Sequence, residues 1–233
     1  MKLIDAISTV PLPDLLSVGF IVIAWIATGW LIENPPKWRV SVSILMEEHR
    51  RDWMRVFVTR VPRLFDVSLI GSLRQGTTFF VSASMIAIGG GAALIGNSAA
   101  MRELAADLPL DAERVDFALK LLLPMGFMAN ALLKFIWAHR LFGYCAVLMA
   151  AVPNERDNPL AYFRATQAAE LNITAARSYN RGLRSIYFAL AALGWLFGAL
   201  ALALATFATV AVLIRREFRS HSRSVLLRDF STD

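Results

Sequence analysis

The stretch that determines the fold runs from Ser185 to Ile214 and reads SIYFALAALGWLFGALALALATFATVAVLI, 30 residues without a single charge. About 20 apolar residues in a helix are enough to cross the ~30 Å hydrocarbon core of a bilayer. Two other uncharged stretches have the same character: Leu15–Ile32, with 18 residues, and Gly76–Met101, with 26. The sequence therefore predicts an all-α integral membrane protein built as a helical bundle.

The composition of the whole chain excludes several classes of protein. Hydrophobic residues make up 57% of the 233 residues, charged residues make up 18%, and the mean hydropathy is +0.52. These values exclude a disordered chain and an ordinary soluble enzyme. Cys145 is the only cysteine, which excludes an intramolecular disulfide and a multi-cysteine metal site. We expect no metal and no other cofactor.

The distribution of charge predicts an orientation in the membrane. Eight basic residues fall between positions 37 and 74: Lys37, Arg39, Arg50, Arg51, Arg55, Arg60, Arg63 and Arg74. Acidic residues outnumber basic ones between 102 and 116, and arginines return after position 139. Because basic loops stay on the cytoplasmic side, we predict a multi-pass membrane protein with its N-terminus outside and its C-terminus in the cytoplasm.

The last apolar run leaves the number of crossings open. As one helix its 30 residues would measure about 45 Å, which is long for a single upright span. A hairpin turn near Gly194–Gly198 would keep the five arginines after the run inside, and it is the preferred interpretation. It predicts one membrane domain, 1–233, with five spans; the alternative is a single tilted helix and four spans. The expected spans are 13–32, 76–99, 117–138, 183–197 and 199–216, with cytoplasmic segments 37–74 and 139–182.

Two helices are predicted in the cytoplasmic segments. Val40 to Val61 has an apolar stripe opposite a charged face, which indicates an amphipathic helix. That helix lies either on the inner membrane surface or on the protein's own cytoplasmic loops. Asn158 before Pro159 is a helix start signal, so a second helix is expected from Pro159 to about Tyr179, ending at Gly182.

Small residues recur at a spacing of four within the apolar stretches. Such residues let helix backbones approach closely in a membrane. The expected packing glycines are Gly89, Gly91, Gly96, Gly194 and Gly198. Packing within the bundle is favoured over a face for a second copy of the chain.

Polar residues gather near the predicted inner membrane surface. Lys134 lies within the third span, and an ionisable residue there either pairs, reaches the interface or has a function. We expect an ion pair between Lys134 and Asp66. The complete candidate polar cluster is Asp66, Arg74, Asn130, Lys134, His139, Arg140, Asn180 and Arg181.

The sequence has no recognisable catalytic motif. It lacks HExxH, a P-loop and GxSxG, and it has no pair of carboxylates within the predicted spans. No catalytic residue is assigned. The net charge of +6 favours anionic phospholipid headgroups as partners. Nucleic-acid binding is not expected, because membrane topology already accounts for the basic residues.

Four segments taken together resemble a known family. They are RLFDVSLIG at Arg63–Gly71, the pair Phe79–Phe80 before the glycine-rich stretch, KFIWAHRLFGYCAVLMAAVP at Lys134–Pro153, and the segment from Asn180 to Ser220 that begins NRGLR and ends RREFRS. In these segments the chain resembles the bacterial branch of the domain of unknown function 599 family, which consists of small integral membrane proteins. The resemblance implies a location in a bacterial inner (cytoplasmic) membrane and a hairpin in the last apolar run, and it implies no activity. It directs attention first to Asp66, Lys134, Arg140, Asn180 and Arg181.

Three functions are consistent with these observations. The leading hypothesis is a non-enzymatic scaffold or accessory subunit that recognises another membrane protein or acidic lipid through the polar cluster. The alternative is a transporter or channel for a small anion or solute that uses Asn130 and Lys134. An intramembrane enzyme acting on lipid through His139 and Asp66 is the third.

Replacing Lys134 by alanine separates the first two hypotheses. If the protein transports, Lys134→Ala is expected to abolish anion flux into liposomes, because the binding cation is lost. If the protein is a scaffold, flux stays at background in the wild type and in every variant. Flux that is substantial and unchanged in Lys134→Ala would contradict both.

Overall fold

The computed structural model describes residues 11–97 and 117–228, and these residues form helices with no strand among them. A short 3₁₀ segment, Leu193–Phe197, separates two of the helices. In chain order the helices are α1 (Leu12–Glu33), α2 (Val42–Thr59), α3 (Leu64–Gly96), α4 (Phe117–Ala150), α5 (Pro159–Ala192), α6 (Ala199–Phe218) and α7 (His221–Leu226). The predicted outer loop at 102–116 lies outside the described residues.

Within the described residues, four stretches are long and apolar enough to cross a membrane: Leu12–Glu33, Leu64–Gly96, Phe117–Ala150 and Ala199–Leu226. This confirms the predicted helical membrane bundle. Two of the helices are longer than the predicted spans, since α3 begins at Leu64 rather than at 76 and α4 continues to Ala150 rather than to 138. Both extensions keep an apolar face, and Ile70 and Met149 on them are buried in one core.

The last apolar run is broken where the hairpin was predicted. Gly198 has φ 107°, and its N–H donates to the Trp195 carbonyl at 3.0 Å. A residue without a Cβ adopts that backbone conformation without strain, so the single tilted helix is wrong. The predicted span 183–197 is not among the four candidates, because Arg184 precedes only eight uncharged residues of α5. The fifth crossing stays a prediction.

Helix α5 begins as predicted but does not end at Gly182. The N–H of Leu160 donates to Asn158 Oδ1 at 3.0 Å, and Pro159 is the first helical residue. The helix continues through Gly182 to Ala192, so the predicted end is wrong. A Cβ at Gly182 would lie 2.7 Å from the Phe135 ring. This glycine therefore permits close packing instead of terminating the helix.

The chain divides into two compact units, each assembled from distant segments. Unit 1 contains Met1–Leu31, Ser84–Ala131 and Leu183–Arg216, and unit 2 contains Ile32–Ala83, Leu132–Gly182 and Glu217–Asp233. The prediction of one membrane domain stays a prediction.

Unit 1 has an apolar core with one buried polar contact. Phe127 and Phe188 lie in this core, with ring centroids 6.1 Å apart. The indole Nε1 of Trp195 donates to Asp14 Oδ1 at 2.6 Å, and both residues are buried. A buried carboxylate is costly unless it accepts such a bond, so this contact holds the start of α1 against the 3₁₀ segment.

The predicted packing glycines have different environments. A Cβ at Gly91 would lie 2.9 Å from Met125 Sδ, and one at Gly194 would lie 3.0 Å from the Ala201 carbonyl oxygen. A Cβ at Gly89 or Gly96 would meet no described atom within 4 Å. Gly194 therefore packs closely against backbone, Gly91 faces a flexible methionine that can move, and Gly198 is needed for the turn.

Unit 2 determines the position of the amphipathic helix. Met54, Phe57 and Val58 of α2 are buried in a core that also contains Cys145 of α4 and Ala165 of α5. The apolar stripe of α2 is therefore covered by the protein's own helices, which decides between the two predicted positions.

The segment after the last apolar run caps α2. The backbone N–H and the hydroxyl of Ser43 donate to the two carboxylate oxygens of Glu217, both at 3.1 Å. The first N–H groups of a helix have no partner within the helix, and its N-terminus favours negative charge. Glu217 therefore stabilises the first turn of α2 from the far end of the sequence.

Two glycine-to-alanine variants test the close packing at Gly182. We expect Gly182→Ala to lower the free energy of unfolding by about 1–3 kcal/mol, because Phe135 must move. Gly143→Ala is the control, since its Cβ would meet no described atom within 4 Å; it should be neutral or stabilising by up to ~1 kcal/mol. Thermal unfolding in detergent measures both, and equal melting temperatures would contradict the packing role.

Candidate functional site

Asp66 is fully buried and has partners other than the predicted one. Its Oδ1 accepts from an Arg60 guanidinium nitrogen at 2.5 Å and from Trp53 Nε1 at 2.7 Å. No ion pair in the described part of the chain joins Asp66 to Lys134, so that prediction is wrong. Arg60 lies in the turn that joins α2 to α3, only six residues before Asp66. This short connection makes Arg60, and not Lys134, the partner of Asp66.

Arg181 pairs with the end of α1. Its Nε donates to Glu33 Oε1 at 2.9 Å, and a second guanidinium nitrogen donates to Oε2. The hydrogen bond to Glu33 raises the pKa of Arg181 above its ordinary value. The pair links the cytoplasmic end predicted for the first span to α5.

His139 and Arg74 share one threonine. The Thr77 hydroxyl donates to the Arg74 carbonyl oxygen at 2.6 Å, and His139 Nδ1 lies 3.1 Å from the same hydroxyl oxygen. Nδ1 of His139 also lies 3.4 Å from the Thr78 hydroxyl oxygen. The imidazole thereby joins α4 to α3.

Arg140 lies on the exposed face of α4 between two aromatic rings. Its guanidinium donates to the Tyr144 hydroxyl at 2.8 Å and lies 5.8 Å from the ring centroids of both Trp137 and Tyr144. Trp137 is 48% exposed and Tyr144 is 44% exposed. The cation therefore lies against an exposed aromatic surface.

The remaining predicted residues are less distinctive. Asn130, Lys134 and Asn180 are half-buried, and the Lys134 carbonyl accepts from the Ser178 hydroxyl at 2.9 Å. Asp66, His139, Arg140 and Arg181 each bind residues outside the predicted set. The residues of the candidate polar cluster therefore make separate contacts and do not form one cluster.

An ion pair between the buried Glu47 of α2 and the half-exposed Arg177 of α5 was not predicted. Glu47 is 7% exposed, and its two oxygens accept from Arg177 Nε at 2.6 Å and from a second Arg177 nitrogen at 2.7 Å. Glu47 raises the pKa of Arg177 through this hydrogen bond. Nearby, Arg50 donates to the fully buried Asn172, and desolvation lowers the pKa of Arg50. The amphipathic pattern of α2 placed Glu47 on the charged face, but only the position of α5 makes that face an interface.

Unit 2 also contains a groove of about 710 Å³. Its apolar lining comes from α3 and α4, chiefly Val67, Ile70, Ala146 and Met149, with Phe57 of α2. Three arginines and one carboxylate also line it: Arg63, Arg74, Arg164 and Glu155. Among the described residues no group of three or more His, Cys, Asp or Glu side chains could hold a metal ion.

Two of the three groove arginines hold the turn between α4 and α5. Arg63 donates to the carbonyl oxygens of Val152 at 2.8 Å and Pro153 at 2.9 Å, and Arg164 donates to that of Ala151. Arg74 differs, because its side chain is exposed and no hydrogen bond or ion pair within residues 11–97 and 117–228 holds its guanidinium. The donors of the Arg74 guanidinium are therefore not engaged by the described residues.

The buried contact at Asp66 can be tested against an exposed pair. Removing one partner of a buried ion pair typically costs about 3–5 kcal/mol, and because Arg60 is one-third exposed we expect Asp66→Ala to cost about 2–4 kcal/mol. Asp52→Ala breaks the exposed Arg55–Asp52 pair and should cost less than ~1 kcal/mol. Denaturant unfolding measures both, and similar losses would contradict the role of Asp66. A Lys134→Ala change should add to Asp66→Ala without coupling.

A comparison with protein families identifies the family of this chain. The model of a family described as a protein of unknown function, DUF599, matches residues 16–222. No curated protein and no solved structure matches the chain. The match covers most of the sequence, including α2 to α6 in full. The chain therefore belongs to the DUF599 family.

Proposed function

We propose that this protein is a non-enzymatic accessory subunit of a bacterial cytoplasmic membrane that recognises acidic phospholipid on the cytoplasmic side. In this proposal the N-terminus is outside, the apolar end of α5 completes a fifth crossing, and unit 2 and the C-terminus face the cytoplasm. The eight basic residues between 37 and 74 support that orientation.

The observation that carries the proposal is the setting of Arg140. Tryptophan and tyrosine are enriched at membrane interfaces, where their rings lie at the level of the headgroups. An arginine held against both rings presents a positive charge at that level, and its apolar stem stays against the helix. Anionic headgroups are attracted to such a residue more strongly than zwitterionic ones.

Other contacts show how Arg140 differs from the arginines of unit 2 that form ion pairs. Arg51, Arg60 and Arg177 each lie within 3 Å of a carboxylate, so their charges are largely compensated within the protein. Arg140 has the neutral Tyr144 hydroxyl as its hydrogen-bond acceptor. Its full charge is therefore available to a lipid phosphate.

Lipid retention tests the proposal. The protein is purified in detergent containing equal amounts of phosphatidylglycerol and phosphatidylcholine, and native mass spectrometry counts the retained lipids of each kind. We expect the wild type to retain more phosphatidylglycerol. Arg140→Gln should lower the ratio about fivefold, which corresponds to ~1 kcal/mol per basic residue near an anionic surface.

The matched control removes a charge elsewhere. Arg55 is exposed on α2 and pairs with Asp52 at 2.9 Å, so Arg55→Gln should leave the lipid ratio unchanged. Equal retention of the two lipids by the wild type would overturn the proposal. An equal loss in Arg55→Gln and Arg140→Gln would show that net charge alone is responsible.

A further inference from the structure

We infer that the groove of unit 2 binds one single-chain anionic amphiphile, such as a long-chain fatty acid, with the chain on the apolar floor and the anionic group at Arg74. This site is separate from the surface around Arg140 and does not depend on the function proposed above.

The floor of the groove suits one hydrocarbon chain. Along α3 the lining residues Val67, Ile70 and Gly71 follow the spacing of one helix face, and Ala146 and Met149 line it from α4. The volume of about 710 Å³ is within the usual range for small-molecule sites. One row of side chains from each helix leaves a single trough, which accommodates one chain more readily than the two of a phospholipid.

Small residues keep this trough open. A Cβ built on Gly71 meets no described atom within 4 Å, so free space lies directly over α3 at this point. Ala150 and Ala151 also line the groove, where larger side chains would fill it.

The charges around the groove favour an anion. Three arginines line it against the single carboxylate of Glu155. Arg63 and Arg164 contribute charge, but carbonyl oxygens already engage their nitrogen atoms. The exposed guanidinium of Arg74 has unused donors in the fork geometry that matches a carboxylate or phosphate. Arg74 is therefore the residue that binds the anionic group.

The position of Arg74 fits an amphiphile that comes from a membrane surface. It precedes the uncharged stretch that begins at Gly76. Arg63 precedes Arg74 by eleven residues, which correspond to about 16 Å along a helix. Arg63 contacts the turn between α4 and α5, at the opposite end of the groove from Arg74. Val67 and Val147, at 66% and 68% exposed, extend the apolar surface beside the groove.

Photolabelling tests the inference. The protein is reconstituted in phosphatidylcholine nanodiscs and exposed to palmitate with a photoreactive diazirine in its chain, and the labelled residues are mapped by mass spectrometry. Labelling is expected on 67–71 and 146–150. Unlabelled palmitate should compete, whereas its neutral methyl ester and acetate should not.

Variants locate the ligand within the groove. Gly71→Leu should reduce labelling at these positions about tenfold by filling the open space, with the melting temperature unchanged. Gly143→Leu, on α4 but not lining the groove and equally open, should label like the wild type. Ala150→Leu gives a second obstruction if Gly71→Leu folds poorly. Arg74→Gln should weaken competition by palmitate about tenfold, the usual effect of losing one charge-assisted contact.

Four results would overturn the inference. Competition by the methyl ester as strong as by palmitate would remove the role of Arg74, and competition by acetate alone would indicate a soluble-anion site. Stronger competition by phosphatidylglycerol would identify a two-chain ligand. Labelling unaffected by Gly71→Leu and Ala150→Leu would place the lipid outside the groove. None of these results alters the lipid ratio expected for Arg140→Gln, so the two proposals can fail separately.

Discussion

The two hydrogen bonds between Glu47 and Arg177 are the contact on which unit 2 depends. Helix α2 has one apolar stripe and one charged face, and burying the stripe against α4 and α5 also removes Glu47 from water. A buried carboxylate without a partner would oppose that packing. Arg177 supplies a bidentate partner from α5, so the same arrangement satisfies the apolar and the charged faces of α2 together.

This pairing explains why the basic residues of unit 2 have such different surroundings. Once α2, α3, α4 and α5 are packed, some arginines lie next to carboxylates and others next to carbonyl oxygens at helix ends. Arg63 illustrates the second kind, because it holds the carbonyl groups that end α4. Arg74 and Arg140 lie on exposed helix faces, and neither has a carboxylate partner among the described residues, which is why we propose them for lipid binding. A count of basic residues cannot separate these groups.

Features that depend on neighbours in the chain were predicted well. The break in the last apolar run at Gly198, the start of α5 at Asn158 and Pro159, and the amphipathic character of α2 all follow from local backbone preference or periodicity. Features that depend on distant segments were not. Gly182 has the local signature of a helix end, but Phe135 from another helix decides that it is a packing position. Asp66 and Lys134 were predicted to lie at the same depth in the membrane and to pair. The short turn between α2 and α3 makes Arg60 the partner of Asp66 instead.

The sequence by itself determined that the chain is helical and membrane-spanning, because hydrocarbon admits only long apolar segments whose backbone groups are bonded internally. It also determined where the last apolar run bends, since glycine marks that point. Only the tertiary structure decided which charges are compensated and which remain available. Ion pairs form over about 3 Å between side chains more than a hundred residues apart, as in Glu47 and Arg177, and no spacing along the chain encodes that distance. The groove has the same origin, because its walls come from helices that become neighbours only when unit 2 packs.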